Sequence, residues 1–335
     1  MTRSAEQGHT RIGSTPETSG VPIDCVLFDL DGVVYHGDRA IDGAVDGITW
    51  LHEHSIPVSY VTNNATRTAE ATAENITRLG IEATADEVTT SAQVLAERLS
   101  ERFGPGARVH LLGTTGLRTA LETAGLHITD PADEDAVALA QGLDPEIDYR
   151  KIVRACEIIR SGAEWWASNP DYSLITDMGR VPGNGAFVEL ISRLTDTEPV
   201  IVGKPAPNMM EFAADRLGAH HPLMVGDRLN TDIEGGRAAG FDTALVLTGI
   251  HDIHDALRAA PERRPTFILP SLRGLEPLIT GGDRGDCPRI EAELRRAWDA
   301  IDSGTADAEA ILAEGNLPRT ITEAHTAPPP TEEEK

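Results

Sequence analysis

The sequence predicts an α/β fold, a three-layer core around a parallel sheet, with a second α/β block inserted into it. Three observations carry this expectation. Short apolar runs alternate with helical patterns from Asp24 onward, the rhythm of βαβ units. The runs are continuous rather than alternating, as in Val26-Leu27-Phe28, which suits strands buried on both faces. A second βαβ series begins after Gly104-Pro105-Gly106. In order, a first strand ends at Asp29-Leu30-Asp31-Gly32, and a second runs from Pro57 to Thr62. Helices are predicted over 69–79 and 91–103. The inserted block reads as strand Val109–Leu112, helix Thr115–Ala124, strand Ala136–Gln141, helix Arg150–Ser161 and strand Glu164–Ser168. A third core strand, Val200–Val202, leads to Gly203-Lys204-Pro205, and a fourth, Leu223–Gly226, leads to Asp227. The domains follow: a disordered stretch over 1–20, a core over 21–105 and 199–280, and an inserted domain over 106–198. A linker, a helix and a disordered tail make up 281–335.

Each core strand ends in chemistry, and in open α/β sheets ligands bind at the carboxyl ends of strands. Asp29 and Asp31 lie two residues apart, so in extended chain both lean to one side. Paired carboxylates repel, and a hard divalent cation such as Mg²⁺ is their natural counterion. One carboxylate close to phosphorus can act as a nucleophile, and the other can protonate a leaving oxygen and then activate water. Thr62-Asn63-Asn64 offers a hydroxyl and two amides that, with backbone N–H groups, can hold phosphate oxygens. Lys204 is one of three lysines, with Lys151 and Lys335, and sits at a strand end as a point charge for phosphate. Asp227 is a further candidate metal ligand. Asp232 either orients Lys204 or holds a metal-bound water, against the plainer role of a first-turn helix acid.

Composition excludes several classes. The formal net charge of the 335-residue chain is −25, with 54 acidic residues against 29 Lys and Arg, a poor match to nucleic acid or an anionic membrane. Residues 1–20 lack the apolar region of a secretory signal, and no run approaches the roughly 20 apolar residues that span a bilayer. A soluble cytoplasmic protein is expected. Cys25, Cys156 and Cys287 lie far apart, in no metal-binding spacing, and read as reduced thiols. His220-His221, His251 and His254 read as ordinary loop residues, and Trp165-Trp166 as packing. Pro288–Glu314 is helical in pattern, with Ile290, Leu294, Trp298 and Ile301 on one face. That helix either docks on the core or mediates a homodimer. Docking is the simpler expectation, with the tail dispensable for chemistry if the core stays folded.

At Asp29-x-Asp31-Gly, Thr62, Lys204-Pro205 and Gly226-Asp227-x4-Asp232 the chain resembles the haloacid dehalogenase (HAD) superfamily, over roughly residues 20–280. Asp31-Gly-Val-Val-Tyr, Thr62-Asn63-Asn64, Asn169-Pro170-Asp171 and Pro182-Gly183-Asn184-Gly185 look like its p-nitrophenylphosphatase and sugar-phosphatase branch, nearest the bacterial glycerol-3-phosphate phosphatases. The resemblance implies a Rossmann-like core with an inserted α/β cap domain over the catalytic face. It implies Asp29 as nucleophile and Asp31 as acid and base. Thr62, Asn63 and Lys204 would hold phosphate, and Asp29, the Asp31 carbonyl and Asp227 would hold Mg²⁺. The implied substrate is a small phosphorylated metabolite, glycerol 3-phosphate first, with phosphoglycolate, pyridoxal phosphate or a sugar phosphate as alternatives. The segment Asn169-Pro170-Asp171-Tyr172 and the loop Pro182–Gly185 are the candidates for discriminating the leaving group, a glycerol headgroup needing hydrogen-bonding groups such as Asn184 or Tyr172. The carboxylate at Asp31 argues against a transport ATPase or a dehalogenase. A phosphomutase is disfavoured by the large cap, and a non-catalytic binding module by the intact set of acidic residues and Lys204.

Overall fold

The computed structural model describes residues 16, 20–130, 135–176 and 178–321. The disorder expected of 1–20 falls almost wholly outside these residues, and that of Pro328–Lys335 wholly outside. No helix among the described residues is long and apolar enough to cross a membrane.

The core is a six-stranded sheet in the order Phe267–Leu269, Asp242–Val246, Pro222–Gly226, Cys25–Phe28, Val58–Thr62 and Val88–Thr90, with every neighbouring pair parallel. The strand Cys25–Phe28 is central, and all four of its side chains are fully buried. Alternation along it explains the unbroken apolar run. Val26 and Phe28 face one layer with Ile48, Leu51, Ile76 and Leu275, while Cys25 and Leu27 face the other with Leu95, Leu99 and Met210. Two buried faces require apolar residues at every position. Helices Ala44–Glu53, Ala69–Arg78 and Leu275–Thr280 cover the first face, and Ser91–Phe103 and Asn208–Leu217 the second. The chain passes from strand to helix at Thr90 through a capping box. The Thr90 hydroxyl accepts the Gln93 N–H at 3.2 Å, and the Gln93 side chain accepts the Thr90 N–H at 2.8 Å.

The inserted block forms a second parallel sheet in the order Val200–Ile201, Glu164–Ala167, Ala138–Gln141, Arg108–Leu112 and His127–Ile128, and an antiparallel hairpin, Ser173–Thr176 with Gly179–Pro182, extends from it. Val200–Ile201 corrects the sequence reading. It pairs with Trp166 and Ala167 of the inserted sheet and is not a strand of the core. The core sheet has no free edge beside Asp29, because Pro222–Gly226 and Val58–Thr62 already flank the central strand. The exposed side chain of Val200 fits an edge strand. Lys204 therefore reaches the core from the rim of the second sheet.

The predicted C-terminal helix is two helices, Cys287–Asp302 and Ala308–Ala313. The chain breaks after Ser303, where Gly304 takes φ +70°. The longer helix docks on the core. Ile290, Leu294 and Trp298 are buried with Leu229, Ile233, Leu245 and Ile268. Glu291 takes the place of a further strand at the sheet edge by accepting the Ile268 N–H at 2.8 Å. Arg264, almost fully buried, makes a two-pronged ion pair with Asp302 at 2.6 and 2.7 Å. The tail thus packs as part of the folded core, the simpler of the two expectations for this helix. Trp298→Ala should cost about 3–5 kcal/mol in denaturant unfolding. A chain ending at Gly281 should unfold at a clearly lower temperature. An unchanged midpoint in either case would contradict this docking.

Candidate active site

Asp29 follows the central strand directly, and its N–H donates to Val225 O at 2.9 Å. The next turn closes tightly, with the Gly32 N–H donating to Tyr35 O at 2.9 Å. Gly32 has φ +86°, and a Cβ there would lie 2.4 Å from an Asp227 oxygen. Only glycine allows both that backbone and that approach.

Lys204 is 2% exposed, which rules out a solvated surface charge. Its ammonium donates to Asp29 Oδ1 and to Val61 O at 3.0 Å, and lies 2.7 Å from Asp232 Oδ1. Burial alone would lower its pKa, but Asp232 and Asp29 outweigh burial and raise it. Asp232 also accepts the Arg228 N–H at 3.1 Å. One oxygen of Asp227 accepts the Ile250 N–H at 2.8 Å, while the other is buried with no hydrogen-bond partner among the described residues. Asp29, Asp227 and Asp232 each present a carboxylate oxygen within 4.8 Å of the others. Three carboxylates facing one ammonium leave excess negative charge, and a buried acceptor without a partner is costly. A hard cation with oxygen ligands fits this donor set.

The pKa directions express the same frustration. Burial, then the charges of Asp232 and Asp29, push Asp227 up to about 8. Burial also pushes Asp232 up to about 6, with Lys204 opposing. The Asp31 carboxyl is open to the cleft, yet desolvation by the surrounding protein and then the Asp29 charge raise it above the usual range. A raised acid suits a group that must give up a proton.

Asn63 lines the cleft with Thr62, and its side chain is also engaged within the protein. Its side-chain oxygen accepts the Lys204 N–H at 2.8 Å, and its amide donates to Lys204 O at 3.1 Å and to Asp171 at 3.2 and 3.3 Å. Its own carbonyl accepts from Ser91 Oγ and Asn169 Nδ2, both at 2.7 Å. The side chain joins the core strand, the Lys204 segment and the inserted domain. Thr62 and Lys204 lie on the same cleft beside Asp29. Thr62, Asn64, Thr66, Asp171, Asn184 and Arg228 help line a cleft of ≈ 170 Å³ that also contains Asp29, Asp31 and Lys204. Asn184 is engaged, donating to Asn169 O at 2.8 Å and accepting from Gln141 at 3.3 Å. Tyr172 is 64% exposed and does not line the cleft. Arg228 is the charged lining residue to which sequence reasoning gave no role. Asp171 lay inside a quoted motif, but its partner Asn63 is 108 residues away. His251 accepts the Leu229 N–H at 3.1 Å, an ordinary loop contact.

Residues 26–127 match a family model described as haloacid dehalogenase-like hydrolase, and 201–275 match a second HAD-type hydrolase model. A D-glycerol 3-phosphate phosphatase of Mycobacterium tuberculosis is 40% identical over 252 residues, 75% of this chain and 70% of that protein. The chain belongs to the haloacid dehalogenase family. An acid sugar phosphatase of Staphylococcus haemolyticus is 40% identical over 73% of the chain and 92% of its own length. The crystal structure of glycerol phosphate phosphatase from M. tuberculosis in complex with magnesium superposes with TM-score 0.72 at 40% identity, over 75% of this chain and 76% of that one. The p-nitrophenyl phosphatase from Archaeoglobus fulgidus gives TM-score 0.70 at 30% identity, over 76% and 98%. This HAD protein is a phosphoric monoester hydrolase.

The raised carboxyls give this HAD phosphatase a pH signature. Asp227, pushed up to about 8 in the folded metal-free protein, keeps a proton that the unfolded chain, with its carboxyl at the ordinary 3.8, has already released. Its contribution to stability is therefore present below about pH 4 and is lost as pH rises toward 8. Metal-free protein should lose thermal stability between pH 5 and 8, Asp227→Asn should flatten that loss, and Mg²⁺ should offset it in the wild type. A melting temperature independent of pH and metal would contradict the arrangement.

Proposed function

We propose that the protein hydrolyses small phosphate monoesters through an aspartyl-phosphate, with Mg²⁺ as cofactor and glycerol 3-phosphate as substrate. The observation that carries the reading is the buried contact of Lys204 with Asp29 beside the partnerless Asp227 oxygen. Asp29, the Asp31 carbonyl and Asp227 would hold the ion, and Asp232 sets the lysine. When bound, Mg²⁺ neutralises charge on the phosphoryl oxygens.

Lys204 and Thr62 orient the phosphoryl group, and Asp29 attacks phosphorus in line, displacing the alkoxide. Asp31 gives its proton to the departing oxygen. It then takes a proton from the water that attacks the aspartyl-phosphate, which frees phosphate and restores Asp29. Charge neutralisation and positioning supply most of the acceleration. The cleft of ≈ 170 Å³ suits a leaving group of few carbons. The Asp171 carboxylate on its wall disfavours an acidic leaving group such as glycolate and accepts hydroxyl donors. A sugar phosphate is the second reading, supported by the acid sugar phosphatases at 40–42% identity.

Asp29→Asn should remove nearly all turnover while leaving the fold intact, and retention of more than about a hundredth of the wild-type rate would defeat the nucleophile assignment. Asp31→Asn should slow alkyl esters more than nitrophenyl esters, whose leaving group needs little protonation, and equal losses would count against it as the acid. Comparing kcat/KM for glycerol 3-phosphate, phosphoglycolate, pyridoxal phosphate and hexose phosphates decides the substrate. A tenfold lead for any of the others would displace glycerol 3-phosphate.

A further inference from the structure

The wall behind Asp227 is a loop whose own support comes from the far end of the chain. The Ile250 N–H donates to the Asp227 carboxylate at 2.8 Å, and the His251 N–H donates to Asp227 O at 3.2 Å. Gly249 packs so closely that a Cβ there would lie 2.1 Å from an Asp227 oxygen. His251 Nδ1 accepts the Leu229 N–H at 3.1 Å, which ties the loop to the turn after Asp227. The loop runs straight into Asp252, the N-cap of helix Ile253–Arg258.

The C-terminal segment grips that helix along its length. The Ile253 N–H donates to Arg319 O at 3.2 Å, and Arg319 Nη1 donates to Asp252 at 2.9 Å. His254 Nε2 meets Leu317 O at 3.0 Å, and the Leu317 side chain is buried. From the longer helix, Trp298 Nε1 donates to Ala256 O at 3.0 Å. Leu294 and Trp298 share a cluster with Leu229, inside the Asp227–Asp232 turn, and with Ile233, just after it. The matched hydrolase model ends at residue 275, before any of these C-terminal groups.

We propose that residues 284–321 are a positioning brace that sets the metal affinity of the site by fixing the loop 249–251 against Asp227. Asp227 lies in a frustrated cluster with one oxygen lacking a partner, so its position depends on the loop that holds the other oxygen. Groups one step behind a metal ligand typically govern affinity by 10- to 100-fold. The brace acts one step further out, through the loop, so a shift of roughly 3- to 10-fold is expected. The inference rests on Asp227 as a ligand of Mg²⁺.

The test uses full-length protein and three substitutions: Leu317→Asp, which expels the strap, Arg319→Ala, and Trp298→Phe, which keeps the core filled and removes the N–H to Ala256. Mg²⁺ binding is measured by calorimetry without substrate, beside the Mg²⁺ dependence of p-nitrophenyl phosphate hydrolysis and the melting temperature. The dissociation constant should rise in Leu317→Asp by roughly 3- to 10-fold and in the milder variants in the same direction. The turnover number at saturating Mg²⁺ should stay within about twofold. A merely structural role would lower the melting temperature and leave the dissociation constant unchanged, which would overturn the brace. If Leu317→Asp does not fold, unchanged Mg²⁺ affinity in Arg319→Ala and Trp298→Phe overturns it equally. Wild-type protein that binds no Mg²⁺ would instead overturn the metal site itself, and the brace with it.

Discussion

Lys204 and the two carboxylates it touches set the terms for the rest of the molecule. Removing an ammonium and its carboxylate partners from water costs several kcal/mol per ion unless they satisfy one another. Here they do so incompletely, because Asp29, Asp227 and Asp232 outnumber the single lysine and one Asp227 oxygen has no partner. That imbalance is tolerable only in a rigid, parallel-sheet frame whose strand ends hold each group in place. The same imbalance makes the site receptive to a cation and then to a phosphoryl group. Stability withheld at the carboxyl edge of the sheet is what the cofactor and substrate can recover there.

The core and its chemistry were legible because local sequence carries them. The run Cys25–Phe28 is apolar at every position since both its faces are covered, and Asp29, Asp31, Thr62 and Asp227 follow strands that could be read directly. Lys204 was found for a partly mistaken reason. Val200–Val202 has the composition of a buried strand, yet its partner is Glu164–Ala167 in the other sheet, and apolar content does not name a partner. Asn63 shows the opposite limit. An amide after a strand end looks like a phosphate ligand, and nothing local reveals that Lys204 and Asp171 occupy it. The C-terminal helix was visible as a period of apolar residues. Its role was not, because the residues it covers, Leu229 and Ile268 among them, are themselves apolar core positions with no motif of their own.

The acidic surface fits this reading of a local, short-range site. A chain of net charge −25 repels an anionic metabolite at a distance. Attraction begins only within the cleft, where Lys204 and Arg228 stand close to the strand ends and screening is weak. Association should therefore depend on ionic strength in the sense opposite to that of a steered enzyme, with added salt relieving repulsion.

The placement of Lys204 between the two sheets has a mechanical side. Three residues earlier the chain is a strand of the inserted sheet, and at Lys204 both backbone groups are bonded to Asn63 of the core. The covalent joint on this side of the cleft is thus Val202-Gly203, where the Gly203 Cα is packed against Ser168 O and Asn63. Ser168 follows a strand of the inserted sheet and Asn63 a strand of the core, so this joint is clamped from both sides. A side chain larger than hydrogen at Gly203 would force the two domains apart at the residue next to Lys204, so the distance between the ammonium and Asp29 is set by how closely the two sheets approach.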